Sequence, residues 1–414
     1  MDKKRIVIAI LFLIVCILLG YALYRLFFAS KIPSPRPGKP AESGVSGFPD
    51  IGEGVIPEET PIADRLPDSG EKPTRGSASP IGTGATAGDR TVVTETVTRV
   101  ADVNANNVVV GRDGNVKFYN QQDGKFYRLL ADGSIVPMSN QTFYNVEKTI
   151  WSPAKNESII EYPDGSNVLY NFDTKKQVTL PRHWEAFAFS PQGDKVASKS
   201  IGIDTTNRWL LTSNPDGSQI SVVESLGDYS DKVMVDWSPN NKVIALSRTG
   251  EPAGGDAQEI YLVGLNKENF KSLVVEGRGL EAKWSPNGGS LLHSVYSERS
   301  EYKPELWIVS GDPDTVGNGR KPLGVNTWAG KCAMADERFA YCGVPETLDI
   351  GVGFSPSLAN ATNDKLYKID TATGFKTEIP LNGDFTINTI NTTPDQRTLY
   401  FTDKNKDGVF QVKI

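Results

Sequence analysis

The sequence predicts an all-β protein, and three observations carry that prediction. A short phrase recurs as Trp151-Ser152-Pro153, Phe189-Ser190-Pro191, Trp237-Ser238-Pro239 and Trp284-Ser285-Pro286, with prolines 38, 48 and 47 residues apart. Each copy ends one alternating apolar run and is followed, after a few polar residues, by another. Turn-formers then separate two further short runs before the next copy. Repetition at about 40 to 50 residues, in units of four short strands, favours a β-propeller over a solenoid.

Taken in order, the chain opens with a basic stub, residues 1–5, ahead of an apolar segment at 6–28. Ile6 to Tyr24 carries no charge, and its nineteen residues at about 1.5 Å each are long enough to cross a bilayer core of roughly 30 Å. Lys3, Lys4 and Arg5 favour a cytoplasmic N-terminus and an exported remainder, with Arg25, Lys31 and Arg36 blurring the rule. A cleaved signal peptide is less well served, because Phe27-Phe28-Ala29 is bulky at the cut. A lipoprotein reading of Cys16 meets the branched Val15 before it.

Residues 29–90 read as a linker. Ten prolines and ten glycines fall between Lys31 and Arg90, with no sustained apolar period. A flexible coil of that length separates its ends by roughly 45 Å, so the expectation is a domain tethered to the membrane rather than seated on it. Gly82-Thr83-Gly84-Ala85-Thr86-Ala87-Gly88 follows no strand and opens no helix, so it is not read as a phosphate loop.

The repeated domain is placed at 91–414, with seven blades expected and six or eight as alternatives. Val233-Met234-Val235-Asp236-Trp237 and Leu280-Glu281-Ala282-Lys283-Trp284 alternate with period two, as a strand with two unlike faces does. Each run stops at Ser-Pro, where proline offers no N–H to a ladder. The first blade is Val108–Val110, Val116–Tyr119, Lys125–Leu129 and Ile135–Pro137, turned at Asp113-Gly114, Asp123-Gly124 and Asp132-Gly133. Eroded copies of the phrase stand at Cys332–Ala335 and Thr392-Thr393-Pro394. The last blade has only three strands, ending in Val409–Ile414. Thr91–Val97 is expected to close the ring as its fourth.

The phrase resembles the WD40-like repeat of the TolB type of bacterial β-propeller, whose consensus runs Trp-Ser-Pro-Asp-Gly before an Ile-Ala-Phe-like strand. The resemblance spans most of residues 100–414. It implies the fold and leaves function open, since such repeats serve periplasmic scaffolds, peptidase-associated propellers and lyases.

Charge narrows the partners. The chain carries a net −6 and residues 1–31 a net +4, which leaves about −10 on the exported part. Nucleic acid and anionic lipid, which need clustered Lys and Arg, are therefore not expected. With only His183 and His293, and no Gly-x-Ser-x-Gly elbow, the usual hydrolase and imidazole-metal constellations lack their parts. No catalytic residue and no cofactor is expected, and His293 reads as a core or rim residue.

Two local features bear on chemistry. Cys332 and Cys342 sit symmetrically about Glu337 in a strand-turn-strand run, which allows a disulfide across a hairpin; the alternative is two buried thiols facing different sides. Asp403, Asn405 and Asp407 with Gly408 resemble a calcium loop weakly, because the twelfth position is Ile414 rather than Glu; a hairpin turn explains them as well.

The candidate binding surface is the channel mouth, where loops entering each blade share a face with loops joining its second and third strands. His183, Trp184, Tyr229, Arg278 and Trp328 fall on the first kind, Arg299 and Tyr302 on the second, beside a long blade-six insertion at 344–363. Exposed aromatics there would suit an envelope protein or a cell-wall polymer. The alternative for Trp184 and Trp328 is that they plug gaps between blades. The reading reached from sequence is an extracytoplasmic, single-pass binding or scaffolding propeller of the plasma membrane. The runner-up is a lyase- or glycosidase-like propeller with carboxylates of perturbed pKa at the mouth.

Overall fold

The computed structural model describes residues 18–19, 94–266, 268 and 270–414. The expected membrane segment and linker lie outside these, apart from Leu18 and Leu19, which are helical. Among the described residues no helix is long and apolar enough to cross a membrane.

Seven four-stranded antiparallel sheets form the ring. Blades 1 to 6 take their strands consecutively, beginning at Ala105, Lys148, Trp184, Val233, Arg278 and Cys332. Blade 7 is built from Ile387–Thr392, Thr398–Asp403 and Val409–Lys413, and its outermost strand comes from the far end of the domain. The closing strand is Thr98–Ala101, paired as Thr98 with Gln411 and Ala101 with Val409. The expected closure at 91–97 is thus corrected by several residues. Ala101 is the residue that enters the core. Residues 94–97 instead cross to blade 6, where Glu95 N–H donates to Pro380 O (2.8 Å) and Val97 N–H to Asn382 Oδ1 (2.6 Å). Residues 91–93 lie outside the described part.

The repeated phrase is a turn clamp. In the second, third and fourth copies the serine N–H donates to the carbonyl five residues on, and its hydroxyl accepts that residue's N–H: Ser190 with Lys195 (3.0 Å), Ser238 with Val243 (2.9 Å) and Ser285 with Ser290 (2.9 Å). Thr393 keeps both bonds with Thr398, which is why the worn copy still works. Blade 6 has Ala335 there, and Asp336 substitutes by accepting the Phe339 N–H at 2.6 Å. Proline after the serine takes a place where no ladder donor is required.

Seven apolar clusters fill the seven junctions between neighbouring blades. Each blade therefore buries both faces against its neighbours, and closure of the ring removes the exposed sheet faces that an open array would leave. Cys332 and Cys342 stand directly opposite in blade 6, with Cα atoms 4.1 Å apart, and are joined as a disulfide.

Candidate functional site

Because successive strands of a blade are antiparallel, its loops alternate between two faces of the ring. The turn face carries the Ser-Pro clamps and the loops between third and outermost strands. The mouth face carries the other two loop kinds. Of the eight large apolar side chains exposed on loops of the ring, Tyr144, Ile203, Tyr229, Ile350, Phe354 and Leu358 lie on the mouth face, and only Ile220 and Phe375 on the turn face.

The seven residues expected at the mouth divide. Trp184 is 3% exposed, within the junction of blades 2 and 3, and Trp328 is 8% exposed against Val352 and Ala359. Trp184 plugs an interblade junction, whereas Trp328 is covered by the blade-six insertion and lines a cavity with Glu281 and Lys331. A bulge decides the first: the register shifts between Glu185 and Ala188, with Ala186 in the left-handed region at φ 55°, and Trp184 turns into the same cluster as Phe187 and Phe189. His183 is exposed, its carbonyl accepting the Ile201 N–H. Tyr229 is exposed under the Lys232 ammonium, 4.8 Å from the ring centroid. It lines an apolar groove of about 520 Å3 between blades 3 and 4 with Leu226, Tyr261 and Phe270.

Arg278, Arg299 and Tyr302 are brought together at the next junction, between blades 4 and 5. Asp256 accepts Arg278 at 2.7 Å and the Glu298 N–H at 3.0 Å, joining the blade-four loop to blade 5. Arg299 pairs with Glu305 and lies over Trp307. Tyr302, in the left-handed region at φ 55°, offers its carbonyl to the Gly353 N–H of the blade-six insertion (2.8 Å) and packs on Phe354. A Cβ at Gly353 would fall 2.5 Å from the Tyr296 ring, so this seam requires glycine. The result is a braced rim from which Ile350, Phe354 and Leu358 project.

A second set of groups lies inside the ring, and sequence reasoning missed it. Asp236 and Lys283 are enclosed by protein yet each keeps part of its surface open, as groups lining a narrow channel do. Burial pushes the Asp236 carboxyl up to about 7, opposed by the Trp284 indole N–H, which stops short of hydrogen-bond range, and by Lys283. Burial pulls the Lys283 ammonium down to about 8, opposed by Glu281 and Asp236. Lys283 donates to Cys332 O at 2.6 Å. Burial also raises Glu281, which accepts the Gly330 N–H at 3.2 Å. Beside them Lys331 pairs with Asp364 at 2.6 Å, burial lowering the first and raising the second. The available signal was the polar alternate positions 281 and 283 in an innermost strand, where half the side chains must face the axis.

His293 is fully buried, with neither ring nitrogen in a hydrogen bond, and burial pulls it down to about 4. It packs with Trp307 in the core, as expected. Asp403 takes the Asn405 N–H at 2.7 Å and the Thr386 N–H at 2.7 Å, and Asp407 takes Arg99 through its carbonyl, so the loop at 403–408 is a hydrogen-bonded turn in which both Asp403 oxygens are already used. No group of three or more His, Cys, Asp or Glu placed to hold a metal occurs among the described residues.

No family model matches the sequence, and no curated protein matches it. Solved structures do match. Oligogalacturonate lyase in complex with manganese is 15% identical, with a TM-score of 0.51 over 77% of this chain and 93% of that one. The tricorn protease is 11% identical, with a TM-score of 0.50 over 76% of this chain; this chain spans 34% of that protein. TolB from Acinetobacter baumannii is 12% identical, with a TM-score of 0.43 over 67% of this chain and 63% of that one. At these identities the likeness shows the β-propeller fold alone.

Proposed function

We propose that this chain is a binding or scaffolding module whose working surface is the mouth face, held outside the cytoplasm by the 6–28 anchor and its linker. One observation carries the reading: exposed apolar side chains on loops concentrate on that face, around a rim braced by Asp256, Arg278, Tyr302 and Gly353. Large apolar groups on rigid supports give contact area at low entropic cost. The Cys332–Cys342 bond suits an oxidising, exported compartment. The partner class is an envelope protein or a cell-wall polymer.

The test is co-purification of the full chain from native membranes beside the triple variant Ile350→Asp, Phe354→Asp, Leu358→Asp. The reading expects one component to come down with the native chain and to be lost with the variant at unchanged melting temperature. Equal recovery by both would refute the mouth face as the binding surface.

The channel supports a second reading, that of a propeller enzyme. Asp236, pushed up to about 7, and Lys283, pulled down to about 8, put two proton-transfer groups close to neutrality in a confined site. Turnover of a wall glycan that Asp236→Asn and Lys283→Met each abolish, with the mouth-face variant unaffected, would favour the enzyme over the scaffold.

A further inference from the structure

We propose a second, separate binding site on the turn face between blades 1 and 2, built for a hydroxylated oxyanion such as a sugar phosphate or a sugar acid. It occupies a cavity of about 660 Å3 at the opposite end of the ring from the mouth, and it stands whether or not the mouth-face reading does.

Blade 1 contains a pairing that a fold would avoid. Lys117 and Arg128 are directly opposite each other on neighbouring strands of blade 1. Like charges in register destabilise a sheet, so the pair needs a reason beyond folding. Lys117 is 8% exposed, and its only close partner is the Trp151 ring face, 5.6 Å away. Among the described residues neither Lys117 nor Arg128 makes a side-chain hydrogen bond or an ion pair, and the buried Arg128 Nε has no acceptor. Burial pulls the Lys117 ammonium down, Asp113 and Asp173 oppose this from beyond ion-pair range, and an anion in direct contact in the cavity relieves the remaining cost.

The lining sets the sign and the shape of the guest. Arg112, Lys117, Arg128 and Lys155 face two carboxylates, in a chain that is acidic overall. Those carboxylates accept from neutral amides, Asp113 from Asn115 (2.7 Å) and Asp173 from Asn156 (2.8 Å), and keep their charge, while Lys155 reaches Glu157 at 3.8 Å. Four cations against three carboxylates leave an excess of one positive charge at the cavity. A second orphan points to what else the guest carries. Asn156 lines the same space, and its Oδ1 is buried there without a donor. An acceptor-poor cation pair beside a donor-poor amide oxygen asks for a ligand with both an oxyanion and a hydroxyl. Free phosphate supplies this weakly and a sugar phosphate or uronate well. The Arg128 fork can meet two oxygens of one anion while Lys117 meets a third.

Thermal unfolding of the full chain in detergent, at constant ionic strength, tests the site with glucose 6-phosphate, glucuronate, inorganic phosphate and glucose. The proposal expects a saturable rise in melting temperature with glucose 6-phosphate or glucuronate, a smaller one with inorganic phosphate, and none with glucose. The stronger of the first two identifies a phosphoryl or a carboxylate source. Arg128→Gln should weaken binding about tenfold or more, the usual loss for a charge-assisted hydrogen bond. Asn156→Leu should erase the preference for the hydroxylated ligand while inorganic phosphate still binds. Lys117→Met should melt higher than the native chain when no ligand is present, and respond to none. If no anion shifts the melting beyond a matched chloride control, or if Lys117→Met unfolds earlier and the variants respond as the native chain does, the site is overturned.

Discussion

The two faces of the ring obey different rules. On the turn face the same hydrogen-bonded clamp is repeated from blade to blade, and Ser190, Ser238, Ser285 and Thr393 each hold the N–H five residues on. On the mouth face the connections range widely: three residues enter blade 3, while an insertion with two short 3-10 helices fills blade 6. The lesson is that the repeat specifies how strands are joined at one end and leaves the other end free. Exposed apolar side chains gather where that freedom lies.

This contrast can be sharpened by substitution, beginning with the largest effect. Trp184, predicted at the mouth, is core. Trp184→Ala should cost about 3–5 kcal/mol, as large-to-small changes in a packed core do, with urea melts as the check. A loss under about 1 kcal/mol would return Trp184 to the surface.

His293 should come next. Its folded pKa of about 4 lies below the ordinary value of about 6.5 in the unfolded chain, so the unfolded state binds the proton first. Stability is intact above that unfolded value and falls as pH drops towards 4, by up to about 3 kcal/mol. His293→Leu should remove most of that slope. An unchanged slope would assign the acid sensitivity to other groups.

A smaller effect separates the faces themselves. Ser238→Ala leaves the buried Val243 N–H without its hydroxyl partner and should cost about 1–3 kcal/mol in chemical denaturation. Tyr229→Ser, exposed on the mouth face, should stay within about 0.5 kcal/mol. Equal losses would mean that the mouth loops are as structural as the clamps.

What could be read in the sequence follows the same division. Ser-Pro at a strand end, period-two alternation and Asp-Gly turns are local, so the seven blades and the 332/342 pairing were legible. Closure at the last blade is legible in kind, but the strand lies later than expected, because six of the seven residues Thr91–Val97 are β-branched and read as a strand in their own right. What escaped depends on angle around the ring. Whether Trp328 points outward or under Val352 is a property of the insertion that covers it. The cation pair Lys117–Arg128 exists only once the register of two strands is known, and Asp236 meets Lys283 only across a blade junction.

The central claim, that the mouth face and not the turn face meets a partner, is tested most directly by two exposed phenylalanines. Phe354 is 54% exposed on the first face and Phe375 71% exposed on the second. A photo-reactive phenylalanine analogue placed at each position in the full chain, irradiated in living cells, should give a discrete adduct from position 354 and none from 375. Adducts from 375 alone would contradict the account.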